Sequence, residues 1–264
     1  MAAHEAVVVT GAASGIGRAV AGRLAHDGYH VVAVDRSEDG LTAVVEDIIA
    51  ASGSASLVVG DVRDRQCHRE ARAAAAHRLA AWVGCAGITR LQDLTDLDDE
   101  QVREVVDTNQ LGLLWGAAEA ITEWTQTARP GVLAVVSSVH ARHAAERHPV
   151  YEMTKAAAEA LVRSVAVTHG PAGIRAVGVA PGAIETPALF ASLASAPDPL
   201  SARRRLEAFS PAERLGLPSE IAAVVSFLLS DQASYISGTT ITVDGGWTAV
   251  LARESTDASA RRRQ

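Results

Sequence analysis

The sequence predicts an α/β protein: one doubly wound parallel sheet of about seven strands flanked by helices. Three observations carry that prediction. Short β-rich runs alternate with Ala-rich stretches along nearly all of the 264 residues, the pattern that builds βαβ units. The runs are apolar almost throughout instead of alternating with polar residues, as strands covered on both faces should be. The first run ends in a glycine turn that opens directly into a helical segment, the usual junction in such folds.

The strands are expected, in order, at Ala6–Thr10, His30–Asp35, Ser56–Gly60, Ala81–Cys85, Val132–Ser137, Ile174–Ala180 and Thr239–Val243. Between them the helical stretches are Gly15–Asp27, Gly40–Ala51, Arg65–Arg78, Asp98–Thr127, Tyr151–His169 and Ser219–Ser230. Asp96 to Asp99 mark the start of the long fourth helix, and Pro218-Ser219 the start of the last. Residues 187–217 break the rhythm, with Pro187, Pro197, Pro199 and Pro211 separating short helical pieces. They read as a flap inserted between the sixth strand and the last helix. The rest of residues 1–253 forms one domain in this reading, and 254–264 a solvated tail ending in an arginine run.

Composition narrows the function classes. Hydrophobic residues make up 48% of the chain and charged residues 21%, with a net charge of −7, so no basic face for nucleic acid or anionic membrane is expected. No apolar run is long enough to cross a bilayer, and no basic leader precedes the first strand. The expectation is a cytoplasmic enzyme. Cys67 and Cys85 have no metal-ligand spacing and form no disulfide framework. Of the 24 basic residues, Lys155 is the only lysine. A position that keeps an ammonium where arginine is used everywhere else is a candidate for chemistry arginine cannot perform.

The first strand runs into Thr10-Gly11-Ala12-Ala13-Ser14-Gly15-Ile16-Gly17. Glycines let backbone approach a pyrophosphate closely, and a helix start offers unpaired N–H groups and the positive end of its dipole. A glycine turn by itself is weak evidence, since any tight βα turn can need one. The spacing TGxxxGIG resembles the cofactor loop of the short-chain dehydrogenase/reductase family. Asp35 ends the second strand, where a carboxylate can accept both ribose hydroxyls of an adenosine and repels a 2′-phosphate. It could also simply cap the following helix. Arg36 pulls the other way, since an arginine there can bind a 2′-phosphate. Family members using NADP often carry a basic residue at the position of Ser14. NAD is therefore the expected cofactor over NADP. Asp61-Val62, after the third strand, fits the family's adenine contact and equally a polar strand end.

Tyr151 and Lys155 are spaced i, i+4 and so share a helix face. An ammonium near a phenol favours the phenolate, which draws the group toward the range useful for general acid–base work. Such a pair is common by chance, and its weight here comes from Lys155 being the sole lysine. Ser138 lies 13 residues earlier at the end of the fifth strand, where parallel-sheet enzymes place working groups. Its hydroxyl can donate to a carbonyl oxygen. Ser137 is the neighbour to exclude, since alternation puts the two on opposite faces. Asn109 interrupts the fourth helix, either as a local kink or as an interior hydrogen-bonding residue.

Asn109, Ser138, Tyr151 and Lys155 together resemble the Asn-Ser-Tyr-Lys tetrad of the same family. Pro181-Gly182, with Ile184 and Thr186, resembles its nicotinamide-contacting segment, and Ser237-Gly238 through Gly246 its last strand. The resemblance spans about residues 5–250. It implies a Rossmann-like fold and hydride transfer between a secondary alcohol or ketone and a nicotinamide cofactor. By resemblance Tyr151 exchanges the proton and Ser138 orients the oxygen. Lys155 tunes Tyr151 and grips the ribose, and Asn109 supports a water relay. A homotetramer or homodimer is implied as well. The chain departs from the pattern at Gly84-Cys85, where the family has two asparagines, and at Val177. The third helical segment is also about one turn short.

Residues 140–148, with His140, His143 and His148 among arginines, form an unusually polar loop between Ser138 and Tyr151. They suit an anionic or polyhydroxylated substrate, or merely a solvated loop. Two rival functions stay open: a 3-oxoacyl thioester reductase using NADPH, with Arg129 as a possible carrier contact, and a catalytically silent dinucleotide sensor.

Overall fold

In a computed structural model, described here for residues 5–75 and 78–251, the sheet is the expected one. Seven parallel strands run in the order β3-β2-β1-β4-β5-β6-β7. They are β1 (Ala6–Thr10), β2 (His30–Asp35), β3 (Ser54–Val59), β4 (Leu79–Gly84), β5 (Gly131–Val136), β6 (Ile174–Pro181) and β7 (Thr239–Val243). The helices are α1 (Gly15–His26), α2 (Glu38–Ala50), α3 (Arg65–Ala74), α4 (Asp99–Val106), α5 (Gly112–Thr127), α6 (Pro149–His169), α7 (Pro187–Ala194), α8 (Pro199–Phe209) and α9 (Pro218–Leu229).

Strand alternation divides the core in two. Val7, Val9, Val31 and Ala33 face one layer with Leu24 of α1, Leu41 and Ile48 of α2, and Ile221 and Leu228 of α9. Ala6, Val8, Val32 and Val34 face the other, with Ala71 of α3, Trp124 of α5 and Val162 of α6. A strand apolar at every position is what two such layers demand. Each fully buried Val or Leu contributes about 1.5–3 kcal/mol. The chain leaves β1 toward β2 on one side and meets β4 on the other. That reversal opens a crevice at the carboxyl ends of β1 and β4, the place where open α/β sheets bind ligands.

Several boundaries differ from the sequence reading, for local reasons. β3 begins at Ser54 and not Ser56: it is an edge strand, and the His30 ring bonds both serine hydroxyls at 2.8 and 3.0 Å. β5 begins and ends one residue early, so Ser138 lies beyond the strand. Gly131 is needed at its start because a side chain there would overlap the buried Trp124 ring. α2 starts at Glu38, capped by Ser37, whose Oγ accepts from Gly40 N at 3.3 Å. α6 starts at Pro149, whose fixed φ suits a first helical turn. α3 ends at Ala74 and β4 starts at Leu79; residues 76–77, within the expected third helix, lie outside the described residues, as do 252–264 with the expected tail.

The expected long fourth helix runs on without a gap, but through a π turn. Asp98 caps α4 through Glu100 N and Gln101 N. A π turn, Asp107–Leu111, then separates α4 from α5. Single π turns inside helices often coincide with functional residues, and Asn109 sits in this one.

Candidate active site

The glycine loop is built for close approach. Gly11 and Gly15 have φ of +69° and +53°, where side chains are strained. A Cβ on Gly17 would overlap the Gly11 carbonyl, and one on Gly15 would lie 3.2 Å from Thr186 Cγ2. Ser14, the residue before α1, makes no capping bond, so its hydroxyl and the first N–H groups of α1 lie open above the loop. Asp35 is turned toward the loop: its carboxylate accepts from Ala13 N at 3.2 Å and from Ser37 N at 3.1 Å. These features fit a dinucleotide, with pyrophosphate over Gly15, Ile16 and Gly17 and a ribose at Asp35. Arg36 follows on the exposed edge. Asp61 is tied to Arg63 at 2.6 Å, and those hydrogen bonds hold its carboxyl below the usual carboxylate range. Val62 is buried and its carbonyl accepts from His68 Nε2 at 2.8 Å. Burial in turn pushes the His68 imidazole below its ordinary value.

The missing asparagines leave a tight strand end. Thr10 Oγ1 accepts from Cys85 N and Ala86 N at 3.2 and 3.3 Å, pinning β4 to β1. A Cβ on Gly84 would lie 2.6 Å from Leu113 Cδ1, so a larger residue there would require the Leu113 side chain of α5 to move. Burial pushes the Cys85 thiol up to about 12, against a smaller opposing pull from Lys155. Across the crevice, Gly182 N donates to Val243 O at 3.0 Å, following Pro181. Ile184 is buried, and Thr186 caps α7 through Leu189 N at 3.2 Å.

The four polar candidates converge from three elements. Lys155 is 6% exposed, an unusual burial for an ammonium. Its Nζ donates to Val136 O at 2.9 Å and lies 5.6 Å from the centre of the Tyr151 ring. Ser137 is spent on structure, donating to Lys155 O at 3.2 Å. Ser138 caps the short 3-10 turn Val139–Ala141, accepting from His140 N at 3.2 Å, and that turn packs against the start of α6 beside Tyr151. Asn109 is 3% exposed. Its Oδ1 accepts from Ile88 N at 2.8 Å, and its Nδ2 donates to Ile88 O at 2.8 Å and to Thr154 Oγ1 at 3.1 Å. The amide is thus engaged by the Ile88 backbone and by the Thr154 hydroxyl of α6. A Cβ on Gly87 would lie 3.4 Å from both Asn109 Oδ1 and Lys155 Nζ, so the two flank the same point.

Aromatic side chains that the sequence reading did not bring together wall the other side of Tyr151. His140 and His148 stack at 5.1 Å, and each meets the Tyr151 ring edge-on, at 5.9 and 6.2 Å. Trp247 stands perpendicular to His140 at 6.3 Å and stacks on Phe209 of α8 at 5.2 Å. Only the histidines carried a signal, as part of a polar loop. Trp247 is 96 residues from Tyr151 and no local pattern links them. The region expected to be a flap holds α7 and α8 and is closed at its base by Glu185 N to Gly216 O at 2.8 Å. Arg203 of α8 bonds Glu185 at 2.7 Å.

Known proteins with similar sequences and structures fit this arrangement. A family model described as enoyl-(acyl carrier protein) reductase matches residues 11–248. A 3beta-hydroxysteroid dehydrogenase 1 of Eggerthella lenta is 36% identical over 92% of this chain and 94% of its own length. An L-rhamnose 1-dehydrogenase (NAD(P)(+)) of Azotobacter vinelandii is 33% identical over 92% of this chain and 96% of its own. The crystal structure of an actinorhodin polyketide ketoreductase with NADPH superimposes with a TM-score of 0.87 at 25% identity, covering 94% of this chain and 98% of that one. These matches run along nearly the whole length of the chain, and it belongs to the short-chain dehydrogenase/reductase family, whose members are nicotinamide-dependent oxidoreductases.

Proposed function

We propose that the protein transfers a hydride between NAD and a secondary alcohol or ketone borne on a ring, with Tyr151 as the acid–base. The observation that carries this is the buried Lys155 ammonium, held at 2.9 Å from Val136 O and aimed at the Tyr151 ring. When bound, the nicotinamide accepts or returns the hydride. The remaining work belongs to this chain. Gly11, Ser14, Gly15, Ile16 and Gly17 hold the pyrophosphate, and Asp35 the adenosine ribose. Arg36, Asp61, Val62 and Gly84 line the adenine side. Pro181, Gly182, Ile184 and Thr186 line the nicotinamide side.

Tyr151 takes the proton of the substrate hydroxyl in oxidation and gives one back in reduction. Ser138 donates its hydroxyl hydrogen to the same oxygen and orients it. Lys155 supplies the nearby positive charge that favours a phenolate and has further N–H donors for a ribose hydroxyl. Asn109 holds Ile88 in place, so the strand-end loop beside Lys155 keeps its shape. The His140, His148 and Trp247 rings make a wall suited to a cyclic body, consistent with relatives whose names specify a 3beta-hydroxysteroid and L-rhamnose.

The alternative, a 3-oxoacyl thioester reductase using NADPH, draws on the polyketide ketoreductase likeness and on Arg36. Its candidate carrier contact is weakened, because Arg129 bonds Glu5 at 2.8 Å, at the amino ends of the strands and away from the crevice. A silent sensor would not need a buried ammonium beside a tyrosine. We also read residues 1–253 as one catalytic domain with 187–217 as its substrate flap. The assembly is read as a homotetramer or homodimer through α5 and α6, acting in the cytoplasm. Among the described residues no helix is long and apolar enough to cross a membrane.

Tyr151→Phe tests the central reading. Turnover of cyclic secondary alcohols should fall at least a hundredfold, while NADH binding, followed by nicotinamide fluorescence, stays within threefold of wild type. Retained turnover would remove Tyr151 from the acid–base role.

A further inference from the structure

We infer that His140 and His148 form a hydroxyl-recognising pair, and that they select a cyclic substrate carrying a second hydroxyl beyond the reacting carbinol. This rests on the alcohol-dehydrogenase reading above and assigns the polar loop that precedes Tyr151.

The argument begins with tautomers. His148 Nδ1 lies 2.7 Å from Glu146 O. A carbonyl can only accept, so Nδ1 carries the proton and Nε2 of a neutral ring is left as an acceptor. His140 Nδ1 is buried without a hydrogen bond, and its nearest charged neighbour is Glu152 Oε1 at 3.7 Å. The carboxylate favours a proton on Nδ1, again leaving Nε2 as the acceptor. Neither Nε2 has a hydrogen bond among the described residues. Glu152 is itself held by Ala145 N at 2.7 Å, so this backing is fixed and not a wandering side chain.

The rings are also fixed. They stack at 5.1 Å with 15° between planes, and both abut Tyr151. Two rings, each with an acceptor nitrogen, are thus set side by side next to the Tyr151 ring, with Trp247 completing the wall at 6.3 Å from His140. Hydroxyl groups are the donors such a pair takes. A ring lying against Trp247 with its carbinol at Tyr151 can offer one from a further ring carbon.

An anionic substituent is the competing chemistry, and charge argues against it. Burial holds the His140 imidazole below its ordinary value, which favours its neutral form near pH 7. A carboxylate docked there would meet Glu152 close behind the same ring.

The test compares cyclohexanol, the cyclohexanediols and a hydroxycyclohexanecarboxylate, with NAD saturating, by initial rates at the nicotinamide absorbance. Wild type should prefer its best diol over cyclohexanol about tenfold or more in kcat/KM, chiefly through KM. His140→Phe and His148→Phe keep a flat ring and remove the acceptor. Each should cut that preference about threefold to tenfold, the effect of one neutral hydrogen bond. His140→Gln, which restores an acceptor, should recover part of it, an outcome that a purely structural role would not give. NADH fluorescence reports whether each variant is folded. Should His140→Phe fail to bind NADH, the His148→Phe ratio decides. Equal use of diol and cyclohexanol by wild type, or an unchanged ratio in the variants, overturns the pair. So does a preference for the carboxylate that the variants abolish. Oxidation of none of these alcohols, with NADH still bound, would instead sink the ring-alcohol reading on which the pair depends.

Discussion

Replacing Asp35 should change which dinucleotide the enzyme prefers, and the size of the change can be worked out. In Asp35→Ala two losses act together. The carboxylate no longer accepts from the ribose hydroxyls, and charge-assisted hydrogen bonds of this kind contribute about 1.5–3 kcal/mol. Efficiency with NAD should therefore fall about tenfold to a hundredfold. The second loss favours NADP. A 2′-phosphate carries about −1.5 to −2 charges, and a carboxylate about 5 Å away at an effective dielectric of about 40 repels it by roughly 3 kcal/mol. Salt and solvent at this half-buried site reduce that, so about 1–2 kcal/mol is a fair expectation. Removing the carboxylate leaves Arg36 free to pair with the phosphate. The NAD:NADP ratio in kcat/KM should fall about fiftyfold or more. Stability should change little, because the two freed backbone donors, Ala13 N and Ser37 N, lie near solvent. The assay is paired steady-state kinetics at saturating alcohol, with thermal melts to confirm folding. A ratio within threefold of wild type would refute the placement of Asp35 at the ribose. So would wild type that uses NADP as well as NAD.

Further outcomes follow from the same geometry. Gly131→Ala forces a methyl into the Trp124 ring and should cost about 3 kcal/mol or more, seen as a drop in the urea midpoint. Asn109→Ala leaves the Ile88 backbone N–H and carbonyl unpaired. It should destabilise by about 2–3 kcal/mol and reduce kcat more than NADH affinity, measured by melts and initial rates. Cys67 and Cys85, with thiols pushed by burial to about 11 and about 12, should resist iodoacetamide at pH 8 in the native protein and react fully in urea, as mass spectrometry would show. Glu220, bonded to Arg214 and to Leu217 N, has its carboxyl lowered from 4.5 to about 2. Its folded value lies below its unfolded one, so its contribution is complete above about pH 4.5 and is lost as pH falls toward 2. The pair is exposed, so Glu220→Gln should lower stability at pH 7 by less than about 1 kcal/mol, with the difference vanishing near pH 2–3 in urea titrations.

The sequence by itself determined the sheet and the order of its chemistry. Uninterrupted apolar runs such as Val7–Val9 and Val31–Val34 required cover on both faces, because a strand with one wet face would have alternated. The glycine turn was legible because a tight strand-to-helix turn demands residues without a side chain, and Gly11 and Gly15 do take positive φ. Lys155 was legible through scarcity: a chain that spends arginine everywhere else keeps one ammonium, and the structure buries it against Val136 O. Edges were read less well. Ser54 belongs to β3 because an edge strand tolerates hydroxyls that a central strand would not, and one sequence does not say which strands are the edges.

Only the tertiary structure decided what faces Tyr151. The π turn at Asn109 depends on backbone bonding that adds one residue per turn without altering the apolar pattern. The commitment of the Asn109 amide to Ile88 depends on a contact 21 residues away. The Tyr151 wall depends on longer reach still, since Phe209 and Trp247 arrive from the flap and the segment after β7. Side-chain type at a position encodes what a residue can do. Which residues do it together is set by where the sheet's crossovers return the chain, and that is decided by packing over the whole domain.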